Sequence, residues 1–281
     1  MTAAAHRKLD FIYIGTPKAG STWLFESLRN HPDVRLFPSK ASKFFESETP
    51  TPIGEYRRQL DRFAPGGKIG EISHDAYLYP HNAAILREHF PEVRVLVCLR
   101  EPGDFARSLL QWLQAHTSQY GDGAEAMMAH PRLRAWMDFA GGLRRFYDVF
   151  PHEQIKVLFF EEFQADPRRF YEDVCRHIGV TSSCEPEVLQ RIVNPARSPR
   201  FPLVTHAAFH AGVLTRKLGF GKLVEDAKRW RLLEKILYSP EATIHPSVLA
   251  AARRERDRSR AMFDALETLI GCRLPERWHG A

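Results

Sequence analysis

Short, almost uninterrupted apolar runs recur along the first part of the chain. Phe11 to Gly15, Val93 to Leu99 and Ile155 to Phe160 are the clearest of them, and Lys68 to Ser73 is a weaker one. Apolar runs of this length are typical of parallel strands that are buried on both faces of a sheet. We therefore predict a strand at each of these four places.

Stretches with apolar residues at every third or fourth position lie between and after these runs. This spacing is typical of amphipathic helices that pack one face against a core. The predicted helices are Ser21 to Asn30, Pro102 to Ala115, Arg132 to Phe150, Pro167 to His177, Leu203 to Leu218, Leu223 to Leu237 and Ser247 to Leu269. The last three make the part of the chain from about 203 to 270 helical.

The alternation of strands and helices indicates an α/β fold. We expect a three-layer structure of the P-loop nucleotide-kinase type, in which helices flank a parallel sheet of about five strands. The chain contains no linker-like segment, so we expect a single domain over residues 1–281. Val34 to Thr51 has no regular pattern and predicts a loop, and Tyr120 to Pro131 predicts a mobile insert or lid.

The charge balance and the cysteines restrict the environment of the chain. Its 281 residues carry a formal net charge of +6, which favours an anionic partner without identifying it. The N-terminal residues contain no apolar signal segment, and no apolar run approaches the length of a membrane span. The four cysteines show neither zinc spacing nor a disulfide framework. These features predict a cytoplasmic protein that binds no metal.

The most informative segment lies where the first predicted strand meets the first predicted helix. It reads Gly15-Thr16-Pro17-Lys18-Ala19-Gly20-Ser21-Thr22-Trp23. Backbone amides at a helix N-terminus form a ready anion site, and a glycine-containing loop presents them to a phosphate. ATP-binding loops carry a lysine directly after the second glycine, but this chain has Ser21 there and a lysine two residues before Gly20.

The segment resembles the 5'-phosphosulfate loop of the sulfotransferases that use 3'-phosphoadenosine 5'-phosphosulfate. The residues that this resemblance places around the nucleotide are Thr16, Lys18, Ala19, Gly20, Ser21, Thr22 and Trp23. Lys18 would stabilise charge on the leaving phosphate oxygen, and 3'-phosphoadenosine 5'-phosphate would be the product. Trp23 would stack on the adenine, although a core aromatic at the start of an amphipathic helix is an open alternative.

A second segment resembles the 3'-phosphate site of the same family. It runs from Arg94 to Pro102 and continues to Ser108, and the resemblance implies that Arg100 and Ser108 hold the 3'-phosphate. The planar guanidinium of Arg100 suits phosphate oxygens, and Ser108 lies about two turns into the following helix. The late basic loop that closes over the nucleotide in this family resembles a segment with Arg197, Ser198 and Arg200.

The general base is predicted from a third segment. Gly70 to Tyr77 resembles a segment that supplies a catalytic glutamate in the heparan N-sulfotransferase branch, which implies that Glu71 is the base. A carboxylate paired with a nearby cation is the other interpretation of Glu71. His74 is the second candidate, because a neutral imidazole accepts a proton near pH 7. Ala41 stands where many relatives have a glutamate, and this removes a third candidate.

The resemblance implies in-line transfer of a sulfuryl group to a hydroxyl or an amine, without a metal. Among sulfotransferases the chain is most similar to bacterial members and to the heparan and carbohydrate branch. The acceptor is expected to be a carbohydrate or a secondary metabolite. Its pocket is expected to be lined by Phe44, Phe45, Tyr77, Tyr79 and the segment from Tyr120 to Pro131.

Two alternatives fit part of the pattern. An ATP-dependent small-molecule kinase with a variant P-loop would need a lysine in place of Ser21 and a magnesium carboxylate that we do not find. A basic nucleic-acid-binding protein would fit the net charge. However, the arginines from Arg253 to Arg260 alternate with acidic residues and lack interleaved aromatics. We therefore expect no nucleic-acid partner.

Overall fold

The structure is a computed structural model, and it describes residues 7–38, 40, 42–116, 123–183, 198–199, 238–239 and 244–280. Its strands are β1 (Phe11–Gly15), β2 (Val34–Leu36), β3 (Lys68–Ile72), β4 (Arg94–Leu99), β5 (Ile155–Phe159), β6 (Ser198–Pro199) and β7 (Tyr238–Ser239). Its helices are α1 (Ser21–Arg29), α2 (Ile53–Leu60), α3 (His81–His89), α4 (Pro102–His116), α5 (Ala124–Ala129), α6 (Pro131–Met137), α7 (Phe139–Tyr147), α8 (Phe160–Ala165), α9 (Pro167–Ile178), α10 (Pro246–Ser259) and α11 (Phe263–Ile270).

Strands β1 to β5 form one sheet in the order β2-β3-β1-β4-β5, and all of its neighbouring strands are parallel. The central strand β1 places Phe11 opposite Gly70 of β3 and opposite Arg94 of β4. All five residues of β1 are buried, as expected for a strand covered on both faces. The predicted α/β fold with a five-stranded parallel sheet is confirmed.

Helices cover both faces of the sheet. On one face, Trp23 and Leu24 of α1 and Phe170 and Val174 of α9 belong to one buried apolar cluster with strand residues such as Leu96. On the other face, the fully buried ring of Trp278 lies among Phe139 of α7, Phe159 of β5 and Phe263 of α11. This gives the three layers that the alternation of strands and helices predicts.

The described residues belong to two compact units. The first holds the sheet and lies within Met1–Pro102, Ala135–Val193 and Arg258–Ala281. The second lies within Gly103–Arg134 and Asn194–Asp257 and includes most of α4. Within the second unit, Nη1 of Arg134 donates to both carboxylate oxygens of Glu255, at 2.7 and 2.6 Å. The expectation of a single domain stays a prediction.

Several elements differ from their sequence-based bounds. The segment from Val34 to Thr51 is not all loop, because it contains β2 and a 3-10 turn at Phe44–Glu46. Helices α2 and α3 are likewise absent from the predicted elements. The segment from Tyr120 to Pro131 contains α5, in which Met127 and Met128 are buried, and residues 117–122 lie outside the described part of the chain.

Two predicted helices are each divided. The helix expected from Arg132 to Phe150 breaks at Asp138, whose carboxylate accepts a hydrogen bond from the backbone N–H of Gly141 and so begins α7. The helix expected from Ser247 to Leu269 is interrupted by a 3-10 turn at Arg260–Met262. The helices expected from Leu203 to Leu218 and from Leu223 to Leu237 lie outside the described residues.

Candidate active site

The loop after β1 and the residue after β4 meet at the carboxyl edge of the sheet. From β1 the chain continues toward β2 on one side, and from β4 it continues toward β5 on the other. Such a switch in direction opens a crevice above two adjacent strands, where open α/β sheets bind ligands. Thr16 ties the two strand ends together, because its backbone N–H and its hydroxyl both donate to the carbonyl oxygen of Cys98, at 3.0 and 2.9 Å.

The loop between β1 and α1 has the backbone conformation of an anion-binding turn. Lys18 has a φ of 60° and Gly20 a φ of 84°, both in the left-handed region. Left-handed residues in a turn direct successive N–H groups toward a common point. A lysine adopts this conformation rarely, so we infer a functional constraint on the loop. Gly20 is the N-cap of α1, and the first amides of that helix therefore face the same site.

Two cations are held close together at this loop. Nη1 of Arg100 donates to the carbonyl oxygen of Lys18 at 2.9 Å, and the guanidinium lies over the ring of Phe160, 4.5 Å from its centroid. Burial, together with the charge of Arg100, lowers the pKa of Lys18 from 10.5 to about 8. Two neighbouring cations in a partly desolvated loop are relieved by a bound anion, so the electrostatics favour a phosphate or a sulfate here.

A third cation, Lys40, reaches the start of α1 from the segment that follows β2. Nζ of Lys40 donates to the hydroxyl of Thr22 at 3.1 Å, and Thr22 is the second residue of α1. The sequence alone could not distinguish a site lysine from a solvated one at this position. The contact with Thr22 places Lys40 beside the anion-binding loop.

Glu71 lies at the carboxyl end of β3, where it is 1% exposed. Its Oε1 accepts hydrogen bonds from the backbone N–H and the hydroxyl of Ser42, at 3.0 and 2.7 Å. Its Oε2 accepts a hydrogen bond from the hydroxyl of Tyr56 at 2.6 Å. Burial raises the pKa of Glu71, and these hydrogen bonds oppose the rise. Both oxygens therefore anchor the segment at Ser42 and the helix α2.

A second carboxylate, Glu46, lies beside the other predicted base, His74. Nδ1 of His74 is 3.3 Å from Oε1 of Glu46, and the same oxygen accepts a hydrogen bond from the hydroxyl of Ser73 at 3.3 Å. On the other side of the imidazole, Nε2 lies 4.0 Å from Oδ1 of Asp75. The structure thus brings His74 to the carboxyl edge of the sheet between two carboxylates.

Trp23 is a core residue, although the resemblance suggested an adenine contact. It is 3% exposed, and its ring packs against Phe163, Phe170 and Tyr171 with centroid distances of 4.6, 5.9 and 6.3 Å. These contacts favour the core interpretation of Trp23, and stacking on the adenine stays a prediction. Ala19 is similarly buried, at 1% exposure, and contributes to the site through its backbone.

The structure describes only some of the other residues that were predicted to bind the nucleotide. Ser108 lies half-buried in α4, within the second unit. Ser198 belongs to β6, which pairs with β7 in a two-stranded antiparallel sheet. Arg197 and Arg200 lie outside the described residues.

The aromatic residues expected to line an acceptor pocket are mostly buried: Phe44, Phe45, Tyr77 and Tyr79 are 7%, 0%, 1% and 7% exposed. The hydroxyl of Tyr77 donates to the carbonyl oxygen of Trp136 at 2.6 Å, which fixes its ring inside the first unit. Such burial leaves little of these rings open to a ligand, and an acceptor pocket lined by them stays a prediction.

Glu46 is a site residue that the sequence did not predict. Its only sequence signal is that it follows two adjacent phenylalanines, which the 3-10 turn at Phe44–Glu46 buries. No helix in the described part of the chain is long and apolar enough to cross a membrane. The same part contains no group of three or more histidine, cysteine or acidic residues that could hold a metal ion.

Comparisons with known proteins agree with the fold. A family model described as a sulfotransferase domain matches residues 8–198, which is more than half of the chain. The chain is similar to the crystal structure of a sulfotransferase from Alicyclobacillus acidocaldarius, with 20% identity and a TM-score of 0.64 over 98% of this chain and 100% of that chain. A sulfotransferase domain from the Synechococcus PCC 7002 olefin synthase has 15% identity and a TM-score of 0.47 over 90% and 97% of the two chains. No curated protein matches the chain.

Proposed function

Because this chain belongs to the sulfotransferase family, we propose that it transfers a sulfuryl group from 3'-phosphoadenosine 5'-phosphosulfate to a hydroxyl or an amine. The observation that carries the proposal is the pair of cations at the loop between β1 and α1. Lys18 and Arg100 lie together at the N-terminus of a helix, where their charges favour a bound anion. A single lysine before the second glycine suits one phosphate with its attached sulfate better than a triphosphate.

The residues of the loop fit the proposed donor. The amides of Gly20, Ser21 and Thr22, with the ammonium of Lys18, would hold the 5'-phosphosulfate. Arg100 would hold the 3'-phosphate together with Ser108, and the basic segment with Arg197, Ser198 and Arg200 would close over the nucleotide. When bound, the donor supplies an activated sulfuryl group that is transferred in line.

Lys18 is proposed to act on the leaving phosphate oxygen. The reaction develops negative charge on that oxygen, and a positioned cation lowers the barrier by stabilising it. The lowered pKa of Lys18 reflects desolvation and the charge of Arg100, both of which an anionic donor offsets. Lys18 would therefore be fully protonated in the complex.

A base must take the proton of the acceptor: the sequence resemblance proposes Glu71, and the chemistry of a neutral imidazole proposes His74. Glu71 has both oxygens engaged by Ser42 and Tyr56, which favours an anchoring role for it. His74 is about one-third exposed at the edge of the site and remains the more accessible of the two. For the acceptor we retain the proposal of a carbohydrate or a secondary metabolite, and for the compartment the cytoplasm.

Calorimetric titration without magnesium tests the donor site. We expect 3',5'-adenosine bisphosphate to bind more tightly than 5'-AMP or ATP, because only the bisphosphate engages both phosphate sites. Arg100→Ala should weaken bisphosphate binding by about 10- to 100-fold, the loss expected for charge-assisted hydrogen bonds. Arg168→Ala is the matched control, since Arg168 is exposed on α9 and distant in sequence from both loops.

The pattern of losses separates two roles of Arg100. A larger loss for the bisphosphate than for AMP indicates a contact with the 3'-phosphate. Equal losses indicate that Arg100 acts only through its bond to Lys18. A wild-type protein that binds ATP as tightly as the bisphosphate would contradict the proposal and favour the kinase alternative.

A further inference from the structure

Glu46 occupies a defined place at the edge of the candidate site. It ends the 3-10 turn at Phe44–Glu46, whose two phenylalanines are buried and hold the turn in place. The side chain of Glu46 is 16% exposed, so it is partly desolvated but still open to a ligand. An accessible carboxylate on a rigid turn meets the first requirement for a proton acceptor.

The neighbours of Glu46 connect it to the anion-binding loop. Ser73, which donates to Glu46, also donates its backbone N–H to the carbonyl oxygen of Tyr13 in β1, at 2.8 Å. A Cβ atom on Gly15 would lie 3.1 Å from the carbonyl oxygen of His74. Ser73 and His74 therefore lie beside Gly15, the first residue of the loop. Both also contact Glu46, so Glu46 lies near this end of the loop.

Lys40 connects the surroundings of Glu46 to helix α1. It donates to Thr22 at the start of α1, and its charge is close enough to lower the pKa of Glu46. Glu46 therefore lies within electrostatic reach of a lysine that contacts the start of α1. We expect the acceptor to enter beside Glu46, where it can meet a sulfuryl group held by Lys18.

The two carboxylates of the site differ in what their oxygens contact. Glu71 has donors on both oxygens. The contacts of Glu46 with Ser73 and His74 both use Oε1, and among the described residues no donor reaches Oε2. One carboxylate is therefore saturated, and the other has an oxygen available for a proton.

The electrostatic surroundings of Glu46 agree with its geometry. Burial raises the pKa of Glu46 to about 7, with further contributions from the charges of Asp75 and Glu71. The hydroxyl of Ser73 and the charge of Lys40 oppose this rise. His74 adds a titratable neighbour at 3.3 Å. A base whose pKa lies near the working pH is both deprotonated and strong enough to accept a proton.

We propose that Glu46 is the general base of this sulfotransferase, an inference that rests on the proposed function above. Oε2 of Glu46 takes the proton from the hydroxyl of the acceptor. The electron pair of that O–H bond stays on the acceptor oxygen, which forms the new bond to sulfur. The bond between sulfur and the 5'-phosphate oxygen breaks, and its electron pair leaves on the bisphosphate. Glu71 then acts as a positioning residue, which holds Ser42 between Lys40 and Glu46.

Substitution of the carboxylate tests the assignment directly. Glu46→Gln should lower transfer by about 10²- to 10⁴-fold, the usual contribution of a general base. Bisphosphate affinity should stay within about threefold of wild type by calorimetry, because the proposal places Glu46 against the acceptor and not against the nucleotide. Glu48→Gln is the control, since it removes the same charge from an exposed residue two positions away. Transfer is followed as single-turnover loss of labelled sulfuryl from the donor to methyl glucoside or water, whose hydroxyls keep their protons across the assay range.

The pH profile separates a base from a structural carboxylate. In the wild type, transfer should fall as the pH drops through about 7, and Glu46→Asp should keep such an acidic limb. Glu46→Gln should remove it. Because Asp75, Glu71, Lys40 and His74 all face Glu46, His74→Asn is measured in parallel: it should shift the limb without abolishing it.

The possible outcomes test the assignment of Glu46 as the base separately from the proposed function. Full transfer by Glu46→Gln, or loss only in Glu71→Gln at unchanged stability, would overturn the assignment while the bisphosphate still binds. If the wild type binds no bisphosphate, the proposed function itself fails. Carboxyl ¹³C NMR needs no acceptor: a Glu46 signal that titrates near 7 supports the proposal, and one that titrates near 4.5 overturns it.

Discussion

At the scale of single residues, two glutamates lie near each other in the site and have opposite surroundings. Glu71 is enclosed and accepts three hydrogen bonds, whereas Glu46 is partly open and has a free oxygen in the described part of the chain. Environments that differ in this way assign different roles to chemically identical groups. The resemblance of Gly70 to Tyr77 directed attention to Glu71, because sequence carries no record of which oxygens are already engaged.

The raised pKa of Glu46 implies a cost to stability. The folded protein binds a proton at Glu46 up to about pH 7, whereas the unfolded chain releases it near 4.5. The contribution of Glu46 to the free energy of unfolding is therefore largest below pH 4.5, and it is lost as the pH rises through 7. Glu46→Gln should be more stable than wild type at pH 8, by up to about 3 kcal/mol, and equal to it near pH 4. Urea unfolding at both pH values measures the difference.

The control again is Glu48→Gln, which should leave the pH dependence unchanged. A Glu46→Gln variant that gained nothing at pH 8 would show that solvent screens the carboxylate. It would also weaken the case for Glu46 as a base with a pKa near neutrality.

At the scale of elements, the strands that sequence predicted well are the continuous apolar ones. β1 and β4 are internal strands and almost fully buried, so burial on both faces left an uninterrupted apolar signal. β5 is an edge strand in which Lys156 and Val157 are partly exposed, and its other three residues are buried. β2 is three residues long with Arg35 at its centre, and its pairing with β3 depends on the rest of the sheet. The turn that carries Glu46 was missed for the same reason, since tertiary contacts and not local pattern define it.

The ring of Tyr77 links the anion-binding loop to helix α7. A Cβ atom on Gly15 or on Gly142 would overlap this ring from either direction. Gly142→Ala should therefore destabilise the protein by about 1 to 3 kcal/mol, despite the better helix propensity of alanine. Gly54→Ala makes the same change in α2, where the nearest atom is 3.9 Å away, and should stabilise by about 0.5 kcal/mol.

Thermal and urea unfolding of both variants decide the matter. Opposite signs for Gly142→Ala and Gly54→Ala confirm that space beside Tyr77 controls the effect. Stabilisation by both would mean that the Tyr77 ring moves aside readily and does not brace the loop.

At the scale of the whole molecule, the sequence predicted the class of the sheet but not its strand order. The alternation of strands and helices indicates parallel pairing, because crossover helices must return the chain to the same edge. The order β2-β3-β1-β4-β5 follows only when long-range packing selects the neighbours of β1. That order also creates the switch between β1 and β4, and so it determines where Lys18 and Arg100 meet.

The net charge of +6 attracts anions to the whole surface, so binding at the candidate site must be distinguished from this general attraction by a separate measurement. The protonation of Lys18 provides that measurement, because its pKa is about 8. Above that pH the free lysine is largely neutral, whereas a bound dianion would restore its proton. Binding of 3',5'-adenosine bisphosphate at pH 8.5 should therefore take up a proton, and affinity should fall as the pH rises past 8. The phosphates titrate near 6 and contribute no proton at this pH.

Calorimetry in two buffers with different ionisation enthalpies measures this uptake directly. Lys18→Arg should bind the bisphosphate without it, because a guanidinium stays charged across the whole range. Equal uptake by wild type and Lys18→Arg would assign the proton to another group and remove Lys18 from the anion site. Uptake in the wild type alone would identify Lys18 as the cation that contacts the ligand, since diffuse attraction by surface charges moves no proton onto a single residue.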